Sequence, residues 1–285
     1  MISIPNRTLK LVKYIEEQLS DVYLSDEARF ISRWVVEELY SVSPTDIALD
    51  MVVEKDGGKD EKLHGVIERL LRNEPIQYIL GKAYFFGRSF FVTPDVLIPR
   101  QETEELVSLI RDETRGRPCS ILDIGTGSGC IAITLALELK EARVYACDIS
   151  GKALSVAAKN RDNLFSTVDF FQLDILQEQL PEKKYDIIVS NPPYVRESEK
   201  ALLHKNVLDY EPEQALFVTD DDPLLFYREI ARQASDRLTD TGTLYFEINE
   251  ALGKDLMELL FSLHYAGIIQ KDLNGKERII KATKT

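Results

Sequence analysis

From about residue 105 onward, apolar runs bounded by glycine or aspartate alternate with helical patterns, and this alternation is the strongest constraint on the fold. "SILDIG" (120–125) reads as a buried strand and is followed by a helix over 129–139. "ARVYACDI" (142–149) is a second strand, followed by a helix over 151–163. "VDFFQLD" (168–174) and "KYDIIVSN" (184–191) are two more. A helix around 223–238 leads into strand "GTLYFEIN" (242–249) and a helix over 251–263. The last strands, near 265–272 and 277–283, meet across Asn274-Gly275, a favoured two-residue hairpin turn. Such alternation predicts an α/β fold, with a mainly parallel sheet joined by right-handed crossovers. The terminal hairpin adds an antiparallel edge strand.

Upstream the pattern is helical. In "SDEARFISRWVVEELY", Ala28, Ile31, Val35 and Leu39 share one face with Trp34, and Ser25 stands as an N-cap ahead of Asp26 and Glu27. Ser43-Pro44 opens a second helix, and "DEKLHGVIERLLRN" a third after the "KDGGKD" loop. "AYFFGRSFFVTPDVLI" (83–98) carries aromatic and β-branched residues on either side of Gly87-Arg88, a β-hairpin signal.

Composition excludes several classes. With 48 acidic against 35 basic residues, the net charge of −13 repels phosphate backbones, so no direct nucleic-acid binding is expected. Cys119, Cys130 and Cys147 have no C-x-x-C spacing and read as free thiols of a reducing compartment. His64, His204 and His264 are scattered, so no metal site is expected. No run approaches the roughly 20 apolar residues of a membrane span, and the N-terminus lacks a signal-peptide apolar region. A cytoplasmic monomer without membrane attachment is the expected form.

"LDIGTGSGC" places Gly125, Gly127 and Gly129 between the first strand and its helix, as G-x-G-x-G rather than the G-x-G-x-x-G of dinucleotide binders. Glycines there let a ligand lie against bare backbone. Asp123 precedes the loop, and Asp148, ending strand two, can accept both hydroxyls of a ribose. Asp174, ending strand three, is a candidate acceptor for an adenine amino group or a solvated strand-end residue. No G-x-x-x-x-G-K-[ST] occurs. The pattern resembles a class I S-adenosylmethionine-dependent methyltransferase.

At the end of strand four stands Asn191-Pro192-Pro193-Tyr194. An amide or nucleobase NH₂ is a poor nucleophile because its lone pair is delocalised. The Asn191 side-chain oxygen and the Pro192 carbonyl can each accept one N–H and hold the nitrogen, while proline's fixed φ keeps that carbonyl in place. Tyr194 can pack on a planar substrate. Adenine, cytosine and glutamine amino groups all suit such a clamp.

"PIQYILGKAYFFGRSFFVTPDVLIPRQETEELV" (75–107), "ILDIGTGSGCIAITLA" (121–136), "NPPYV", "YEPEQAL" (210–216) and "DLNGKERII" (272–280) together resemble the peptide-chain-release-factor glutamine N5-methyltransferase family. The resemblance implies methyl transfer from S-adenosyl-L-methionine to the glutamine of the Gly-Gly-Gln motif in class I release factors, leaving S-adenosyl-L-homocysteine. It implies that Gly125, Thr126, Gly127, Ser128, Gly129, Asp148 and Asn191 bind the cofactor, and that Asp174 and Ile175 line an adenine pocket. Asn191, Pro192, Pro193 and Tyr194 would hold the glutamine, with Asn191, Pro192 and Tyr194 as the catalytic set. Arg100 and Glu102, in "LIPRQETE", would belong to an active-site wall; their plainer reading is a local salt bridge.

The expected layout is a helical bundle over 1–80 that docks the substrate, a β-hairpin linker and wall over 81–104, and a seven-stranded methyltransferase domain over 105–285. The family usually has Pro at Gln101 and Gly at Asn249, where Asn tolerates the same left-handed backbone. "TDDDPLLFY" (219–227) replaces a more Gly-rich turn. The segment 195–222 shows no clear secondary structure. The alternative function is an amino-methyltransferase acting on adenine or cytosine in nucleic acid; it would need a basic channel and a means of splaying out the base.

Overall fold

The computed structural model describes residues 4–54 and 57–285, so Lys55 and Asp56 of the expected "KDGGKD" loop lie outside it. The chain forms two compact units. One runs up to Lys82 and takes in His204–Tyr210; the other comprises Ala83–Leu203 and Glu211–Thr285.

The first unit is helical: α1 (Thr8–Leu19), α2 (Ser25–Tyr40), α3 (Pro44–Ala48), α4 (Gly57–Leu71) and α5 (Ile76–Leu80). Its core gathers Leu11, Ile15, Leu19, Val35, Leu63 and Leu70, all fully buried. Ala28, Ile31 and Val35 of α2 enter it at helical spacing, as expected. Ser25 is the first residue of α2 rather than its cap, which is Leu24 without a side-chain bond. Ser43 does cap α3, accepting from the Asp46 N–H while the Asp46 carboxylate takes the Ser43 N–H.

At the start of the second unit, β1 (Lys82–Phe85), whose first residue still counts with the first unit, and β2 (Arg88–Phe91) pair as a two-stranded sheet. Their turn is Phe86-Gly87, with φ of 51° and 70°; two consecutive positive φ values match the twist of a hairpin. It sits one residue earlier than the Gly87-Arg88 expected. Next come α6 (Gln101–Thr114), β3 (Cys119–Ile124), α7 (Cys130–Glu138), β4 (Ala142–Asp148), α8 (Gly151–Asn163), β5 (Val168–Gln172) and β6 (Tyr185–Ser190). The segment expected to be irregular is built of short pieces: β7 (Val195–Arg196), a 3₁₀ turn (Glu197–Leu202), α9 (Lys205–Tyr210), α10 (Glu213–Leu216) and β8 (Phe217–Val218). The chain ends with α11 (Leu225–Arg237), β9 (Leu238–Glu247), α12 (Gly253–Ser262), β10 (Tyr265–Lys271) and β11 (Glu277–Lys284).

Seven strands form the central sheet in the order β10-β11-β9-β6-β3-β4-β5, and β11 is antiparallel to both its neighbours. The hairpin lies at that edge, but its antiparallel member β11 is inserted one place in and β10 takes the rim. Side chains of the central strands alternate between two cores. Ile188 packs with Tyr227, Ile230 and Leu256, whereas Ile187 and Val189 pack with Leu106, Ile131 and Leu135. Both faces are covered by helices, which explains the unbroken apolar runs of these strands.

The β10–β11 turn differs from the two-residue form. The Gly275 N–H donates to the Asp272 carbonyl and the Asp272 N–H to the Lys276 carbonyl, which leaves Leu273-Asn274-Gly275 as a three-residue loop. Only Gly275 takes a positive φ, 81°. The Asp272 carboxylate accepts the Asn274 and Lys276 amides and so replaces the second left-handed residue as the organiser of the turn.

Asn160, fully buried on α8, ties three elements together. Its carboxamide accepts the Phe91 N–H at 2.6 Å and donates to the Phe91 and Ser128 carbonyls at 2.9 Å each. Replacing it with alanine strands three backbone groups, two on partly buried Phe91 and one, the Ser128 carbonyl, fully buried. Asn160→Ala is therefore expected to cost about 2–4 kcal/mol in urea denaturation, whereas a loss below about 1 kcal/mol would show that water or backbone relaxation replaces the bonds.

Candidate active site

Strand register brings the site together. Ile124 of β3 lies opposite Cys147 of β4 and Ser190 of β6, so the next residues, Gly125, Asp148 and Asn191, leave the sheet at one level. The Ser190 hydroxyl donates to the Ile124 carbonyl at 2.7 Å and locks β6 to β3 at that level. A cavity of about 410 Å³ opens there, lined by Gly125, Gly127, Asp148, Asp174, Ile175, Asn191, Pro192 and Pro193, with Pro94–Leu97 as another wall.

The glycine loop is held by its backbone. The Gly125 and Thr126 amides both donate to the Cys147 carbonyl, at 2.9 and 3.0 Å. Gly125 and Gly127 have φ of 74° and 54°, and nothing lies within 4 Å of where a Cβ would stand on either. The space a side chain would fill is therefore left to a ligand. Gly129 serves packing instead. A Cβ there would stand 2.8 Å from Ile133 Cδ1 and 3.1 Å from the Ala157 Cβ, so its absence permits the close approach of α7 and α8. Thr126 and Ser128 are buried and do not line the cavity.

Two acidic residues diverge in role. Asp148 ends β4 at the cavity and accepts the Gly127 and Ser150 amides at 2.9 Å each, leaving lone pairs for a ligand's hydroxyls. Burial raises its carboxyl above the ordinary range, and those amides oppose the rise. Asp123 is wholly enclosed and does not line this cavity. Burial pushes its carboxyl up to about 7, against the Thr126 hydroxyl bonded at 2.7 Å. Asp174 stands two residues beyond β5 rather than ending it, and its Oδ1 accepts the Leu176 amide at 2.9 Å.

On the other side of the cavity, Asn191 Nδ2 donates to Thr103 Oγ1 at 3.4 Å. The Thr103 hydroxyl donates to Glu247 Oε2 at 2.6 Å, and the Tyr194 hydroxyl to Glu247 Oε1 at 3.2 Å. Tyr194, Arg100 and Glu102 are not among the lining residues. The salt bridge expected around Arg100 runs to Glu211, at 2.6 Å, and not to Glu102. Thr103 and Glu211 lay within stretches that carried the family resemblance but were given no role there, and Glu247 and Asn160 had no signal beyond lying near the ends of predicted elements.

A family profile described as "Methyltransferase small domain" matches residues 101–211, and one described as "PrmC N-terminal domain" matches 10–81. The release factor glutamine methyltransferase of Bacteroides thetaiotaomicron is 45% identical over 277 residues, covering 96% of this chain and 99% of that protein. The chain belongs to the release factor glutamine methyltransferase family. The family's member from Flavobacterium psychrophilum is 43% identical, covering 93% of this chain and 95% of its own. Among solved structures, a methyltransferase from Pyrococcus furiosus shares the fold with a TM-score of 0.52, at 19% identity over 75% of this chain and 95% of that one.

The residues present fit the family's cofactor, S-adenosylmethionine. Glycine backbone borders open space, a strand-end carboxylate keeps free lone pairs, and Ile149, Ile175 and Leu176 supply apolar lining beside Asp174.

The raised Asp123 carboxyl makes stability depend on pH. The unfolded chain releases this proton near the ordinary value of 3.8, whereas the folded chain keeps it up to about 7. Between those values the folded state binds more protons, so this group's contribution falls as pH rises and levels off above 7. Asp123→Asn is expected to remove that fall. Relative to wild type, the variant should gain about 2–3 kcal/mol between pH 5 and pH 8 in paired denaturation curves; a pH-independent difference would refute the assignment.

Proposed function

We propose that this chain binds S-adenosylmethionine against Gly125, Gly127 and Asp148, and methylates the side-chain amide nitrogen of the glutamine in the Gly-Gly-Gln motif of class I release factors. The observation that carries the reading is the level row of Gly125, Asp148 and Asn191 on one cavity, in a chain of this family. When bound, S-adenosylmethionine supplies an electrophilic methyl group on its sulfonium.

What the protein contributes is positioning. The Asp148 carboxylate accepts the ribose hydroxyls, and Asp174 and Ile175 border the base. Asn191 Oδ1 and the Pro192 carbonyl accept the two N–H groups of the glutamine amide, which favours a pyramidal nitrogen with its lone pair exposed. Pro192 and Pro193 stiffen the turn, since each fixes φ. No strong base is required, because the nitrogen becomes acidic as its new bond forms. Orientation of this kind supplies up to roughly 7–11 kcal/mol in well-aligned systems.

The helical first unit serves as the docking module for the release factor, a role supported by its match to the family's N-terminal domain. The protein works as a cytoplasmic monomer. Among the described residues no helix is long and apolar enough to cross a membrane.

The test uses labelled S-adenosylmethionine with a release factor, the same factor carrying Gln→Ala in its tripeptide, and duplex DNA. Label is expected on the first alone; label on DNA with none on the release factor would overturn the reading in favour of a nucleobase methyltransferase. Asn191→Ala should abolish transfer while cofactor affinity stays within a few-fold. Asp148→Ala should do the reverse, weakening cofactor binding by about 1.5–3 kcal/mol in calorimetry, the usual loss for hydrogen bonds to a charged group.

A further inference from the structure

We propose that Thr103 and Glu247 are positioning residues that fix which end of the Asn191 carboxamide faces the cavity. The inference rests on the clamp reading above and names what makes that clamp one-sided. An Asn side chain has an acceptor and a donor end of nearly the same shape. Turned the wrong way, Asn191 would present NH₂ to a substrate NH₂, and the clamp would become a repulsion.

The geometry removes the choice. Glu247 ends β9 and is only 1% exposed; both of its carboxylate oxygens accept hydroxyl protons, one from Thr103 at 2.6 Å and one from Tyr194 at 3.2 Å. A hydroxyl has one proton, and that of Thr103 is committed to Glu247. Its oxygen can therefore only accept, so the Asn191 atom 3.4 Å away is the NH₂ end. The carbonyl oxygen is left for the substrate. The Asn191 contact is long and weak in itself. Its value lies in the alternative, since the flipped amide would set two acceptor oxygens against each other in a buried place. Burial raises the Glu247 carboxyl, and the Thr103 hydroxyl, the positive charge of Arg278 and the Tyr194 hydroxyl oppose that rise.

Glu247 and Thr103 are also well supported. Ser190 pairs with Phe246 across β6 and β9, so Glu247, the last residue of β9, stands level with Asn191. Thr103 is 2% exposed on the first turn of α6. Neither lines the cavity, so both act through Asn191 rather than on the substrate.

The experiment compares steady-state kinetics of the full-length enzyme on a release factor for wild type, Thr103→Val, Thr103→Ala and Thr103→Ser, with cofactor Kd by calorimetry and Tm for each. Thr103→Val and Thr103→Ala should lower kcat about tenfold to a hundredfold, the scale of loss from a misplaced reacting group. KM for the release factor and Kd for S-adenosylmethionine should stay within about twofold. Thr103→Ser, which keeps the hydroxyl, should recover kcat to within about threefold of wild type. A merely structural role would instead lower Tm and raise Kd together and would not distinguish Ser from Ala. The proposal is overturned if a folded Thr103→Val or Thr103→Ala keeps kcat within twofold, or if Ser is as impaired as Ala. An inactive Asn191→Ala beside a fully active Thr103→Val sinks this inference alone; a fully active Asn191→Ala sinks the clamp itself.

Discussion

The site depends on the register of four adjacent strands. Ile124 faces Cys147 on one side and Ser190 on the other, and Ser190 faces Phe246 in turn. Gly125, Asp148, Asn191 and Glu247 are the next residue along each strand, so they form one row at the carboxyl ends. A slip of one residue in any of these pairings would turn apolar side chains to the wrong core and break the row together with the packing. Hydrophobic alternation of Ile187, Ile188 and Val189 between the two cores is thus also what sets the spacing of the polar groups. Parallel strands end in open backbone, and ligands bind in the crevice outside those ends.

In and beside that row lies a concentration of carboxylates that burial alone would neutralise. Asp123, Asp148 and Glu247 all have their carboxyls raised, each with burial as the leading cause. What differs is the compensation. Asp148 has two backbone amides and an open side toward the cavity; Glu247 has two hydroxyls and the charge of Arg278; Asp123 has chiefly the Thr126 hydroxyl. Asp123, whose proton is held to about 7, is wholly enclosed and does not line the cavity, whereas Asp148 does.

Most of the fold was legible because the strands are buried on both faces and the helices on one, and those two patterns differ in period. Helix α8 runs over the predicted 151–163, and Asp148 and Asn191 stand where strand ends place them. Turns were less legible. At Asn274-Gly275 the dipeptide favours a two-residue loop, yet the Asp272 carboxylate organises three residues instead, a long-range choice made by the strand register. Asn249 was expected to supply a left-handed backbone. It has no positive φ; its carboxamide donates to the Tyr194 carbonyl and to Glu199, and so braces the segment after the prolines. Thr103, Asn160 and Glu247 were invisible for the same reason. An ordinary polar residue becomes part of a site only through partners distant in sequence, 144 residues apart for Thr103 and Glu247.

Two stretches that carried the family resemblance, "LIPRQETE" and "YEPEQAL", turn out to be one physical feature. Glu211 of the second has a side chain only 2% exposed, and it accepts both the Arg100 guanidinium at 2.6 Å and the Ile98 amide at 3.3 Å. An enclosed carboxylate of this kind is strongly destabilising if left unpaired, so neither stretch can change without the other. The ion pair anchors the end of the segment whose Pro94–Leu97 portion walls the cavity. On the opposite end of "LIPRQETE", Thr103 reaches Glu247 and Asn191. A segment of eight residues thus joins the wall of the cavity to the groups behind the clamp. The Arg100–Glu211 pair at one end and the Thr103–Glu247 bond at the other therefore hold the two stretches to the same frame around the cavity.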